Sequence, residues 1–201
     1  MFLLGASGHA KVIIDILKAQ DVAIHGLFDD NPNCSDLKGY PFLGALKDYK
    51  KAIDSLIISI GNNSIRKRIA EDFQNIEYGT AIHPSAILSD DVNIGNGTVI
   101  MHGAIVQSSV SIGNHCIINT SASVDHDCFI DHYVHISPNA TLCGNVTVGE
   151  GAQVGAGAVV VPGKRIGKWA LVAAGAVVVR DVPDYALVIG NPARVIKDTN
   201  R

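Results

Sequence analysis

From Ile82 to Val178 an aliphatic side chain returns at every sixth position, through Leu88, Ile94, Ile100, Val106, Ile112 and onward, without a slip. Four residues behind each comes a second column of mostly small side chains, running from Ala86, Val92 and Thr98 through Cys116, Ala122 and Cys128 to Ala176, and broken only by Lys164. A helix repeats near 3.6 residues and a free strand near 2, so a strict period of six calls for a solenoid of parallel strands, a β-helix. Each six-residue rung makes one flat side of a three-sided coil: the aliphatic points inward and the small residue turns the corner. Eighteen residues close a coil, successive coils stack at roughly 4.8 Å, and the array predicts a prism of about five coils. The residue directly after the aliphatic (Gly95, Gly113, Asn119, Asp131, Gly149, Gly155, Gly167) is expected to accept the tight backbone angles of the corner. A sandwich of short strands would need alternation and variable loops, which this stretch lacks. The period does not fix the hand of the coil, and general crossover statistics favour the right.

The first eighty residues follow another rhythm. Phe2 to Leu4 reads as a short strand, Gly5-Ala6-Ser7-Gly8-His9 as a turn, and Ala10 to Ala19 as a helix with Val12, Ile13, Ile16 and Leu17 on one face. Next come a strand from Val22 to Phe28, the segment Tyr40 to Leu43, a helix near Ala45 to Lys51, a strand from Ser55 to Ile60, and a helix from Ser64 to Phe73. Strands alternating with helices predict a small parallel, Rossmann-like sheet covered on both faces, an α/β unit over residues 1–79 preceding the all-β solenoid of 80–201. Ligands of such sheets bind beyond the carboxyl ends of the strands. Three loops meet that description: Gly5 to His9, Asp29 to Asn31, and Gly61 to Asn63. Gly5 and Gly8 could admit a phosphate to the N-terminus of the next helix, with Ser7 and His9 adding donors, or the turn could bind nothing. Asp29 and Asp30 could accept from ribose hydroxyls or a base, or could simply cap a loop. Taken together the three loops favour a nucleotide-bearing ligand, and the short sheet favours a nucleotide sugar or half a nucleotide cofactor.

Composition narrows the picture. With 201 residues, a net charge of −3 and 17% charged residues, the chain offers no basic surface for nucleic acid. The four cysteines stand singly, without CxxC spacing, as expected in a reducing, cytoplasmic compartment. No signal peptide and no membrane span are expected.

Inside the repeats the informative departures are polar. Two positions after Val124 stands His126, flanked by Asp125 and Asp127. A step of eighteen residues puts Gly144 over His126 in the next coil and Ser108 beneath it. A base beside a bare backbone leaves room for a substrate atom and an N–H that could polarise a carbonyl; a solvated rung histidine is the plain alternative. His135 belongs to a different column. No pair among the eight histidines has H-x4-H spacing, so no three-histidine zinc site and no metal are expected.

These features carry a resemblance. The repeat array, the opening Gly5-Ala6-Ser7-Gly8-His9, the segments Ile60-Gly61-Asn62-Asn63, Val124-Asp125-His126-Asp127-Cys128, His135-Ile136-Ser137-Pro138 and Gly144-Asn145-Val146, and the closing Val188 to Ile196 resemble the hexapeptide-repeat, left-handed β-helix acyltransferases. Within them the chain is similar to the branch with a nucleotide-sugar-binding domain in front, the UDP-4-amino-sugar N-acetyltransferases and the sialic acid O-acetyltransferase-like proteins. The resemblance implies a left-handed coil and transfer of acetyl from acetyl-CoA to the amine of a UDP-linked 4-amino sugar in bacterial glycan synthesis. It implies His126 as general base, with Asp127 raising its basicity. On the acetyl-CoA side it implies His135 and Gly144, with Ala156 and Ala174 along the CoA arm. Ser7, Gly8, His9, Asp29, Asp30 and Gly61 match the nucleotide-sugar contacts. Ala10 stands where the family often has Gly. His126 and His135 are nine residues apart, half a coil, so both can touch one substrate only if adjacent chains supply them, which implies a homotrimer with sites at the seams. An O-acetyltransferase of sialic acid or a related sugar, and an inactive nucleotide-sugar-binding or scaffold protein, are the competing expectations.

Overall fold

The computed structural model describes residues 1–49, 55–74 and 76–198. Its first unit is a three-stranded parallel sheet, with β1 (Phe2–Leu4) between β2 (Gly26–Phe28) and β3 (Leu56–Ile58). Helix α1 (Gly8–Ala19) buries Ala10, Ile13, Ile14, Ile16 and Leu17, the three- and four-residue spacing of a helix face. Helix α2 (Asn63–Asp72) lies on the opposite side of the sheet, where Ala70 packs with Leu4, Phe28, Leu56 and Ile58. Its N-cap Asn62 accepts from the Ile65 N–H at 3.0 Å, satisfying one of the first-turn donors.

The sequence-based boundaries shift in ways that have physical reasons. The strand expected from Val22 shrinks to Gly26–Phe28, because Val22 and Ile24 pack against the α1 cluster rather than joining the ladder. The helix expected near Ala45 to Lys51 is a three-residue 3-10 turn, Leu46–Asp48, and Lys50 and Lys51 lie outside the described residues. The segment Tyr40 to Leu43 joins by two isolated bridges, Leu27 to Phe42 parallel and Leu37 to Tyr40 antiparallel.

The second unit is a left-handed parallel β-helix of about six turns, one more than the repeat count suggested. Two-residue rungs build three sheets of eight, six and five strands. Ile117 pairs with His135, Ser123 with Thr141 and Phe129 with Thr147, the eighteen-residue register of the repeat. Both columns, Ile100 to Val178 and Ala104 to Ala176, fill the interior and are essentially inaccessible. A hairpin, Ala186–Ile189 with Arg194–Asp198, ends the first sheet.

The corner chemistry corrects one expectation. The left-handed backbone angles fall three residues after the aliphatic, not one, at Ser109, His115, Ser121, Asp127, Tyr133, Asn139 and Asn145 among others. Glycine directly after the aliphatic answers instead to a close approach: a Cβ on Gly155 would stand 2.6 Å from the Ala174 nitrogen of the next coil. Where that position carries a polar side chain, the side chain turns onto the following N–H, as Asp131 does to His132 at 2.8 Å.

The two units meet on the first sheet. Its outward residues Ala81, Val99 and Ile117 are buried with α1, and α2 reaches the corner between the third and first sheets. The Asn63 amide donates to the Gly151 carbonyl at 3.0 Å, and Lys67 pairs with Glu150 while its ammonium stands 5.6 Å from the Trp169 ring centre.

Candidate functional site

The corner between the second and third sheets carries His126 and Asp127. Asp127 adopts φ 59°, a left-handed conformation that aspartate tolerates, and its carboxylate folds back to His126 Nδ1 at 2.7 Å. A carboxylate only accepts, so Nδ1 carries a proton, and in the neutral ring Nε2 keeps its lone pair. Asp125 accepts from the His126 N–H at 2.9 Å. The bond to Asp127, followed by the charge of Asp125, raises the imidazole above its ordinary range. The side chain is 60% exposed, open to an incoming molecule.

Gly144 lies over this ring. A Cβ there would come within 2.7 Å of His126 Cε1 and Nε2, so the bare backbone makes the room the imidazole occupies. Ser108 sits one coil below, its carbonyl accepting the Asp127 N–H at 3.1 Å. Ala156 and Ala174 are exposed at the corner between the first and second sheets, at the other edge of the sheet that ends in His126.

His135 has the opposite surroundings. It projects from the first sheet toward the N-terminal unit, its Nε2 2.9 Å from the Asn119 amide. The backbone of Gly61 and the ring of His9 stand close enough to act on it. Burial first, and the Arg66 cation second, push His9, His115 and His135 each down to about 4. The buried His9 Nε2, His115 Nδ1 and His135 Nδ1 have no hydrogen-bond partner of good geometry. The fold therefore brings His135 together with His9 and Gly61, and leaves His126 at another corner of the prism.

A cleft of about 490 Å³ opens beside β1 and α2; of the residues expected to meet a nucleotide sugar it is lined by Asp29 and Asp30, while Ser7, Gly8, His9 and Gly61 lie outside its lining. Leu4, Leu46, Ile60, Ile69 and Phe73 give it apolar walls, while Asp30, Lys47, Arg68 and Asp72 bring charges to it. Asp29 has a structural duty that the sequence left open: its two oxygens accept from the Ala6 N–H at 2.7 Å and the Asn31 N–H at 2.9 Å, clasping the glycine turn. One oxygen of Asp30 accepts from the Leu46 N–H at 3.0 Å, fixing the opposite side of the cleft. Ser7 stands at the N-cap of α1 with no side-chain capping bond, and a Cβ on Gly8 or Gly61 would meet nothing within 4 Å. Open backbone and an idle hydroxyl thus face the positive end of α1. Among the described residues no three His, Cys, Asp or Glu side chains group as metal ligands, and no helix is long and apolar enough to cross a membrane.

Sequence reasoning missed Arg66 and the pair of Lys67 with Glu150, which bind the two units together, and it placed Asn63 in a ligand loop where its amide instead donates to the β-helix. Their signal was faint, because α2 reads as a charged surface helix.

A small parallel α/β unit set on a left-handed β-helix is the architecture of a hexapeptide-repeat acyltransferase. The comparisons agree. Residues 1–73 match the family model described as the PglD N-terminal domain. Perosamine N-acetyltransferase from Caulobacter crescentus, solved as a mutant with CoA and GDP-perosamine, is 37% identical, with a TM-score of 0.93, over 98% of this chain and 96% of that one. The acetyltransferase domain of PglB from Neisseria gonorrhoeae FA1090, solved with acetyl coenzyme A, is 35% identical, with a TM-score of 0.91, over 97% of this chain and 98% of that one. UDP-N-acetylbacillosamine N-acetyltransferase of Bacillus subtilis (strain 168) is 44% identical over 95 residues, 43% of this chain. The matches to curated relatives span 18% and 44% of those proteins' own lengths. The chain belongs to the hexapeptide-repeat, left-handed β-helix family of sugar N-acetyltransferases.

Proposed function

We propose that this chain transfers the acetyl group of acetyl-CoA to the amine of a nucleotide-linked 4-amino sugar, a UDP-linked sugar of bacterial glycan synthesis, in the cytoplasm. The observation that carries the reading is His126, with Nδ1 bound to Asp127 at 2.7 Å and the Nε2 edge turned to Gly144. The amine lone pair attacks the thioester carbonyl carbon, and Nε2 takes the proton that the nitrogen must shed. The tetrahedral oxyanion accepts from the Gly144 N–H. When the C–S bond breaks, the sulfur leaves with its electron pair and the imidazolium returns the proton, giving free CoA and an amide. Asp127 stabilises the imidazolium and holds the tautomer.

Ala156 and Ala174 leave backbone open for the pantetheine arm. From Ile69 to Gly163 the chain has no Lys or Arg, whereas Lys164, Arg165, Lys168, Arg180, Arg194, Lys197 and Arg201 follow. That polarity suits the phosphates of CoA at the C-terminal coils, with the thioester reaching back to His126.

The nucleotide occupies the cleft between Asp30 and α2, its diphosphate toward Ser7, Gly8 and His9, and the sugar extends past Gly61 to His135. Since His126 lies at a corner away from that path, the base acting on this sugar comes from a neighbouring chain, an arrangement that fits the homotrimer which the family resemblance implies.

The test is free CoA release from acetyl-CoA with UDP-4-amino sugars, GDP-4-amino sugars and free sialic acid as acceptors. Release with the UDP-linked amines is expected. Release with the GDP-linked amine alone would overturn the assignment of uridine as the nucleotide, and release with sialic acid alone would favour O-acetyl transfer. Release with none of them would return the chain to a binding role.

A further inference from the structure

Arg66 is 1% exposed, and the partners of its guanidinium are carbonyl and amide oxygens rather than carboxylates. Nε donates to the His115 carbonyl at 2.7 Å, Nη1 to the carbonyls of Ile60 and Gly61 at 3.0 and 3.2 Å, and Nη2 to Asn63 Oδ1 and the Tyr133 carbonyl, both at 2.9 Å. Every N–H of the fork is used. The acceptors come from three places: the loop that enters the nucleotide cleft, the start of α2, and two stacked corners of the β-helix.

Burying a cation without an anion costs several kcal/mol, and an apolar side chain of similar volume would glue two units at less cost. What an apolar side chain cannot supply is direction. The rigid fork holds the Ile60 and Gly61 carbonyls in fixed register with the His115 and Tyr133 carbonyls. Ile60 lines the cleft and Gly61 stands against His135, so this register sets how far the nucleotide lies from the sugar's end of the site.

We propose that Arg66 is a positioning residue for the sugar nucleotide: it clamps the Ile60-Gly61 loop to the β-helix, so that a nucleotide seated in the N-terminal unit presents its sugar at His135. The cation also favours neutral His9 and His135 beside it, which leaves these rings to meet a substrate without adding charge. This inference rests on the acetyl-transfer reading above.

The test is steady-state kinetics on full-length Arg66→Lys and Arg66→Met, combined with amide hydrogen exchange. Arg66→Lys keeps a charge and a long stem but loses the fork. A KM for the sugar nucleotide raised tenfold or more is expected, with the KM for acetyl-CoA within twofold. Exchange should accelerate at residues 59–63 and stay unchanged at residues 123–128. A sugar-nucleotide KM unchanged in both variants would overturn the proposal. So would an equal rise in both KM values with exchange accelerated throughout, the mark of a general structural role. Should Arg66→Met fail to fold, the lysine variant decides alone. If the unaltered chain acetylates no sugar nucleotide, the acetyltransferase reading fails by itself, and exchange still tests the clamp: acceleration confined to residues 59–63 supports it, and no acceleration there overturns it.

Discussion

Two histidines nine residues apart in one solenoid live under opposite physics. His126 stands on an open corner, and a carboxylate bond raises its basicity. His135 is packed between the β-helix and the N-terminal unit, where burial and a neighbouring cation hold it neutral down to about 4. Residue type does not distinguish them; repeat position and neighbours do, since His126 lies at a corner two residues after Val124 and His135 lies in a strand just before Ile136. The exposed corner suits a group that must gain and lose a proton near neutrality, and the buried seam suits one that must present a fixed hydrogen-bonding edge.

The contrast breaks most visibly at His126. Replacing it with Ala is expected to lower kcat by about 10²–10⁴-fold, the usual worth of a positioned general base. Gel filtration should show an unchanged assembly, since in this reading the imidazole meets the substrate rather than the neighbouring chain. Gly144→Ala sharpens the point. Its Cβ would meet the movable end of the His126 ring, not backbone, so the ring swings aside and the fold survives. A loss of about tenfold or more in kcat is expected, with an unfolding temperature close to the parent's.

The smallest effect belongs to the buried ring. The folded-state value of His135, about 4, lies below the roughly 6.5 of an unfolded chain, so the unfolded chain binds the extra proton between those values. Stability is then full above about pH 6.5 and falls as pH drops toward 4, at up to about 1.4 kcal/mol per pH unit for one such ring. His135→Gln should flatten that slope by up to this amount in urea unfolding between pH 6.5 and 4. His9 and His115 keep their share of it, while His126, raised rather than depressed, contributes with the opposite sign.

Much of this was legible in the residues because a period of six has few structural solutions. The inward columns, the eighteen-residue register and the stacking of Gly144 on His126 follow from counting. The short strands were harder. Val22 and Ile24 look like strand residues, yet their apolar side chains serve the α1 cluster, and only Gly26–Phe28 joins the ladder. The docking of α1 has a counterpart in the residues: Ala81, Val99 and Ile117, spaced eighteen apart on an outward column, are all apolar, whereas His135 and Gln153 farther along the same sheet are polar. For Arg66 there is almost none. It sits among Lys67 and Arg68 in a helix that reads as solvated, and only the fold shows that one of the three is buried while Arg68 reaches the cleft. Asp29 was ambiguous for a related reason, because a carboxylate that clasps a glycine turn and one that binds ribose carry the same sequence signal.

The most direct test of the account is a crystal structure of the ternary complex with CoA and a UDP-4-amino sugar. The account predicts the sugar amine within hydrogen-bond reach, about 2.6–3.2 Å, of a His126 Nε2 contributed by the chain next to the one that holds the nucleotide. An amine and a CoA sulfur meeting away from every His126 ring, or a His126 from the same chain as the nucleotide, would contradict it.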